Sequence, residues 1–238
     1  MLGFNDKNRR IGALLRGTSI FFGSFLLKIS YHCPMAKSEF LLTLADSSQF
    51  EDGLIRGEFL KGFRQPRIAM VGRSNVGKST LINALLKANL ARTSNQPGKT
   101  RAIHFYLWKD INKIVADLPG YGYARAARQE RNRWEQFINR YLEEDINLER
   151  VLLLLDARHG PTEVDLEAIE FLSLKRIPVT FVFAKADTLK TQSERARRQK
   201  ETAQALKDLG VDPETAFWVS SQTKVGLSKL VQELRLNE

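Results

Sequence analysis

The sequence predicts an α/β fold: a mostly parallel six-stranded sheet with one antiparallel strand and helices on both faces. Three observations predict it. From residue 67 onward, short apolar runs alternate with segments whose apolar residues recur at helical spacing, as in a parallel sheet covered on both sides. One run, Arg150–Leu155 (RVLLLL), is apolar without alternation, as a central strand buried on both faces must be. One pair of runs, Ile103–Trp108 and Asn112–Ala116, is separated by too few residues for a crossover and must form an antiparallel hairpin.

Arg67–Val71 (RIAMV) ends at a glycine and reads as a buried strand. Lys78–Lys87 follows as a helix, with Leu81, Ile82, Leu85 and Leu86 on one stripe. After the hairpin comes Tyr123–Asp145, long and charged, with Trp134, Phe137, Ile138 and Tyr141 aligned. Arg150–Leu155 is the central strand, Val164–Leu174 a helix and Val179–Phe183 a strand. Ser193–Leu209 is a basic helix, Ala216–Val219 the last strand and Leu227–Leu236 the closing helix. The domain therefore spans residues 67–238. Residues 38–66 form a lead-in in which Phe40–Gln65 offers a candidate edge strand, and residues 1–37 form a leader or extension.

Bulk properties narrow the function. The 238 residues carry 43% hydrophobic and 27% charged residues, ordinary for a globular domain. The net charge of +10 and pI near 9.8 suit work against a polyanion, RNA or an anionic membrane face, and do not choose between them. A single cysteine, Cys33, excludes an internal disulfide and a cysteine-based zinc cage, which suits a reducing cytoplasm. The leader is basic at Lys7, Arg9, Arg10 and Arg16, then apolar over Ile20–Ile29, shorter than the ~20 residues of a membrane helix. Three readings stand: a spurious translated leader with the start at Met35, a disordered or amphipathic tail, or a signal or anchor.

Gly72-Arg73-Ser74-Asn75-Val76-Gly77-Lys78-Ser79 fits the G-x-x-x-x-G-K-[ST] loop, directly after a strand and opening a helix. Its glycines let backbone N–H groups face the α- and β-phosphates at the positive end of the helix dipole. Lys78 reaches the β- and γ-phosphates, and the Ser79 hydroxyl ligates Mg²⁺. This pattern names a nucleoside triphosphate and not the base. Ala184-Lys185-Ala186-Asp187 supplies the base choice. The Asp187 carboxylate can accept from the N1–H and 2-amino group of guanine, whereas adenine would leave it unpaired. Lys185 lays its stem against the base, Ser220-Ser221 supplies backbone N–H groups to the guanine oxygen, and Val219 before them is a further nucleotide-contact residue.

Asp117-Leu118-Pro119-Gly120 follows a strand. Asp117 is expected to hold the Mg²⁺ shell through water and the Gly120 N–H to meet the γ-phosphate, so that hydrolysis releases the following segment. Upstream, Gly98-Lys99-Thr100-Arg101-Ala102 lies between helix and strand, with Thr100 completing the Mg²⁺ octahedron beside Ser79. No catalytic group is assigned outright; Lys78 and Thr100 are the transition-state supports. Tyr121 stands where many nucleotide switches carry a water-positioning Gln, so turnover is expected to be slow and to need a partner or a cation.

Together GRSNVGKS, NQPGKTR, DLPGYGYA, DARHGPTEVD, AKAD and VSSQTKVG resemble the translation-factor-related, Era-like P-loop GTPases, and within them the EngB (YihA/YsxC-type) family. The resemblance covers roughly Ser38 to Leu234. It implies the P-loop GTPase fold and a cytoplasmic, monomeric GTP/GDP switch. Its partner is ribosomal RNA or the pre-ribosomal large subunit, without recognition of DNA sequence and without membrane association. An older description of the family is a requirement for normal cell division and septation; the alternative is a membrane- or septum-associated switch. Relatives that use K⁺ carry Asn where Asn75 stands, so Asn75 either holds K⁺ or only shapes the loop. The sequence departs from the family at Ala184, where Thr or Asn is usual, and this predicts weaker nucleotide affinity. Arg125, Arg128, Arg131, Arg133 and Arg140, with Arg195, Arg197, Arg198 and Lys200, form two basic helices suited to phosphates of folded RNA.

Overall fold

The computed structural model describes residues 37–44, 63–92, 102–122 and 128–235, the side chains of 128–134 excepted. All three readings of the leader fall outside these residues. The chain order is β1 (Glu39–Leu44), β2 (Arg67–Gly72), α1 (Lys78–Leu86), β3 (Ile103–Trp108), β4 (Lys113–Asp117) and α2 (Arg128–Glu144). It continues with β5 (Leu148–Asp156), α3 (Glu163–Ser173), β6 (Val179–Ala184), α4 (Gln192–Asp208), β7 (Ala216–Trp218) and α5 (Leu227–Arg235). The sheet order is β1-β3-β4-β2-β5-β6-β7. The six expected strands are present, and β1 adds a seventh at the edge. Only β3 runs against its neighbours, pairing antiparallel with both β1 and β4; the other pairs are parallel.

The alternation of side chains along each strand divides the core. Val151, Leu153 and Leu155 of β5 pack on one face with Phe137, Ile138 and Tyr141 of α2, Ile169 and Leu172 of α3, and Leu206 of α4. Leu152 and Leu154 face the other side, with Leu81, Ile82 and Leu85 of α1 and Leu227, Leu230 and Leu234 of α5. Every residue of this strand from Val151 to Asp156 is buried, which explains its unbroken apolar run. Outside the apolar ladder, Asp117, Asp156 and Ala184 all end strands at one edge of the sheet, together with Gly72 of β2. That edge, the C-terminal ends of the parallel strands, is where ligands of open α/β sheets sit.

Candidate nucleotide site

The loop from β2 to α1 is shaped by two left-handed residues, Asn75 (φ 65°) and Gly77 (φ 107°). Gly77 caps α1, and Asn is among the few side chains that tolerate this region. The Leu81 N–H donates to the Gly77 carbonyl and the Val76 N–H to the Arg73 carbonyl. Lys78, buried at the start of α1, donates to the carboxylate of Asp117, also buried, at the end of β4. A hydroxyl at Ser79 and a carboxylate at Asp117 make a small set of hard oxygens. That set suits Mg²⁺, which keeps waters and takes phosphate oxygens for the rest of its shell.

The Asp117–Gly120 segment is laid along this loop. The Leu118 N–H donates to the Met70 carbonyl (3.1 Å), the Tyr121 N–H to the Gly72 carbonyl (3.2 Å) and the Ser74 N–H to the Tyr121 carbonyl (3.1 Å). Gly120 passes so close that a Cβ there would lie 3.0 Å from the Ser74 nitrogen. The Tyr121 side chain turns to α3: its hydroxyl donates to Asp165 Oδ1 at 2.7 Å. Burial, and then the adjacent Asp165 carboxylate, push the phenol pKa far up, so it stays a neutral donor. Asp165 Oδ2 meanwhile accepts from the backbone and hydroxyl of Thr162, fixing the first turn of α3.

The third loop, after β6, is tied to the first. Lys185 (φ 62°) opens a short 3₁₀ turn, Ala186–Thr188, that carries Asp187. The Lys185 ammonium donates to the Asn75 carbonyl (2.8 Å) and to Asp156 Oδ2 (3.0 Å). The Ala186 N–H donates to the Val219 carbonyl (3.0 Å), which docks the last loop beside it. There the Ser220 N–H is engaged by the Val225 carbonyl (3.0 Å) and its hydroxyl accepts from the Thr223 N–H (3.0 Å). This corrects the expectation that both serines present N–H groups to a base: turn closure occupies the Ser220 N–H and leaves only Ser221 as a candidate for it.

Residues 67–185 match a family model described as 50S ribosome-binding GTPase. A probable GTP-binding protein EngB of Desulfovibrio desulfuricans is 43% identical over 171 residues, covering 71% of this chain and 82% of that protein. The chain belongs to the EngB family of P-loop GTPases. Among solved structures, a probable GTP-binding protein engB superposes with a TM-score of 0.54 at 26% identity, over 71% of this chain and 96% of that one. Era in complex with MgGDPNP and nucleotides 1506–1542 of 16S ribosomal RNA superposes with a TM-score of 0.58 at 25% identity. That match covers 71% of this chain and 55% of the Era chain.

On this EngB-family fold, Gly72–Ser79, Asp117–Gly120, Ala184–Asp187 and Val219–Ser221 converge on one sheet edge. Ala102 is described just before β3, whereas Gly98, Lys99, Thr100 and Arg101 lie outside the described residues. Sequence reasoning missed the role of Asp156. Its carboxylate, 2% exposed, takes Lys185 and also Arg158, through Nε to Oδ1 (2.9 Å) and a terminal nitrogen to Oδ2 (2.7 Å). Burial alone would raise its pKa, but the hydrogen bonds from Arg158 and Lys185 prevail and hold it below the usual carboxylate range. A charged residue directly after an apolar strand, on the same edge as Asp117, was the available signal.

The basic helices are partly neutralised. Arg195 Nε donates to the Leu189 carbonyl (2.8 Å) and shapes the approach to α4. Arg198 donates to Glu201 (2.9 Å), while Arg197 lies 3.9 Å from the same carboxylate. Arg140 pairs with Glu144 (2.7 Å). Arg125 and the side chains of Arg128, Arg131, Arg133 and Trp134 lie outside the described residues.

Proposed function

We propose that this GTPase is a Mg²⁺-dependent switch with slow intrinsic turnover that acts on the large ribosomal subunit during its assembly. The observation that carries the nucleotide reading is the Lys185 tie: it locks the Asp187 loop to the loop that ends in Lys78. The phosphate and base sites, in this reading, share one edge of the sheet, joined by that contact. In this reading Lys78 and the Gly72–Ser79 backbone hold the phosphates, Asp187 reads N1–H and the 2-amino group, and Ser221 meets the guanine oxygen. Ser79 and Thr100, with Asp117 through water, would hold Mg²⁺, which supplies charge neutralisation on the phosphates. Slow turnover is supported by Tyr121, whose hydroxyl is committed to Asp165.

Asp187→Asn tests base reading. A carboxamide can donate to the 2-oxo group of xanthine, so preference should pass from guanine to xanthine nucleotides; retained guanine preference would remove Asp187 from the role. Comparing turnover in KCl and NaCl at equal ionic strength tests Asn75. Faster turnover in KCl assigns K⁺ to it, and equal rates leave it the left-handed loop geometry alone.

The large-subunit reading is supported by the +10 charge, the exposed arginines of α4 and the description of the matching family model. The Era neighbour, bound to 16S RNA of the small subunit, supports contact with ribosomal RNA and not the choice of subunit. Among the described residues no helix is long and apolar enough to cross a membrane. Co-sedimentation with purified 50S subunits is the test: binding with a non-hydrolysable GTP analogue should exceed binding with GDP and weaken steeply with salt. Binding that ignores both nucleotide and salt would sink it.

A further inference from the structure

We propose that Asp156 is a positioning residue for the base loop, its carboxylate holding the Lys185 ammonium so that the lysine stem is a preformed floor for guanine. This rests on the reading above of Lys185 and Asp187 as the base-binding pair. Lysine is long and flexible, and ordering it at the moment of binding would be charged against affinity. Here it is ordered beforehand at both contacts. The stem crosses the phosphate loop, with Cε 3.7 Å from where a Cβ on Gly77 would lie. The ammonium then bridges the neutral Asn75 carbonyl at 2.8 Å and the Asp156 carboxylate at 3.0 Å. The ammonium makes both contacts charge-assisted, and the second, to a charged acceptor, is also an ion pair and is the stronger of the two.

Asp156 can serve as an anchor because it is itself fixed. It ends β5 directly opposite Ala184 of β6, and the Ala157 N–H donates to the Ala184 carbonyl (2.9 Å). Oδ1 accepts from the Arg158 backbone (3.0 Å) and Nε (2.9 Å), and Oδ2 accepts from Arg158 (2.7 Å) and Lys185. Ala184 has no polar side chain with which to tie the base loop to its neighbours. The Asp156–Lys185–Asn75 chain supplies such a tie from the adjacent strand. A role confined to the β5–α3 turn would need Arg158 alone; the Lys185 contact reaches the nucleotide loop.

The test uses the full chain with GDP and GTP as probes and four variants: Asp156→Asn, Asp156→Glu, Arg158→Ala and Asp187→Asn. Asp156→Asn should weaken GDP binding and raise KM for GTP about tenfold, with kcat within about twofold, because Lys78 and Asp117 are untouched. Asp156→Glu, which keeps the charge, should recover part of the loss. Arg158→Ala, which frees the anchor but leaves it charged, should weaken GDP about two- to threefold. Unchanged GDP affinity in folded Asp156→Asn, or a fall in kcat at constant KM, overturns the proposal. If Asp156→Asn does not fold, unchanged affinity in Arg158→Ala overturns it instead. Asp187→Asn separates the two readings. If it leaves base choice unaltered, the base-loop assignment fails and the proposal with it; if it alters base choice while Asp156→Asn binds GDP normally, only Asp156 is wrong.

Discussion

The two ends of the sheet both bury charge, and they use it differently. At the N-terminal end of the parallel strands, Arg67 of β2 donates to Asp145 after α2 at 2.5 Å. Nearby Lys113 of β4 pairs with Glu149 at 2.6 Å, and Arg150 reaches Glu149, Thr180 and Glu233. These groups are consumed within the chain and hold α2 and α5 to the strands. At the C-terminal end the cations Lys78 and Lys185 rest on carboxylates and on the carbonyl of a loop held in left-handed backbone. Their partners leave them at the mouth of a loop whose N–H groups and helix dipole favour an anion. One end closes its charges on one another inside the fold, and the other keeps them within reach of a ligand.

The largest effect that can break this contrast is at Lys78. Lys78→Ala should lower GTP hydrolysis by about a hundredfold or more, the scale for losing a positioned charge at a reacting phosphate. Because Lys78→Ala also leaves the buried Asp117 without its partner, its unfolding midpoint should fall too; steady-state phosphate release normalised to the folded fraction, with denaturant unfolding of the same preparation, decides it. Arg67→Met should cost stability without costing turnover. Breaking a buried pair by removing one partner costs about 3–5 kcal/mol of unfolding free energy, while kcat of the folded fraction should stay within about twofold. A large fall in kcat would show that the far end is coupled to the site after all.

The two aspartates sharpen the comparison through pH. Burial raises the Asp145 pKa despite Arg67, so the fold binds a proton there more readily than the unfolded chain. Its contribution to stability therefore falls as pH rises from the ordinary carboxylate value to the raised folded one. Asp156 is depressed, so its contribution is complete above the ordinary carboxylate range and is lost as pH falls below it. Urea unfolding of wild type, Asp145→Asn and Asp156→Asn over an acid series should show opposite slopes in the two differences; the same slope for both would refute the contrast.

How much of this was legible in the sequence follows from the range of each interaction. Gly72–Ser79 and Asp117–Gly120 are contiguous segments after apolar strands, so strand, loop and chemistry could be read together. The unbroken run of β5 announced a strand covered on both faces, and the division of its side chains between two helix layers is its physical cause. Lys185 and Asp156, 29 positions apart, meet because β5 and β6 lie in register, and Tyr121 and Asp165, 44 apart, because the segment after β4 passes beside α3. No local pattern encodes such pairs. The Ser220 N–H was misassigned for a related reason: a backbone donor looks available until the turn that closes onto Val225 is seen.

The smallest expected effect bears on whether the base loop needs its customary residue. Ala184 is buried at the end of β6, beside the strand that presents Asp156. The sequence alone implied that its missing hydroxyl weakens nucleotide binding. With Lys185 already bridging to Asn75 and Asp156, the loop is tied by other means, so Ala184→Thr should tighten GDP binding by only about two- to threefold, the scale of one neutral hydrogen bond. Titration calorimetry with GDP measures it. An unchanged dissociation constant would show that Asp156 fully replaces the usual tie. A gain of about tenfold or more would show that the tie through Lys185 is the weaker one, and would move the rigidity of this edge from the lysine to the strand end.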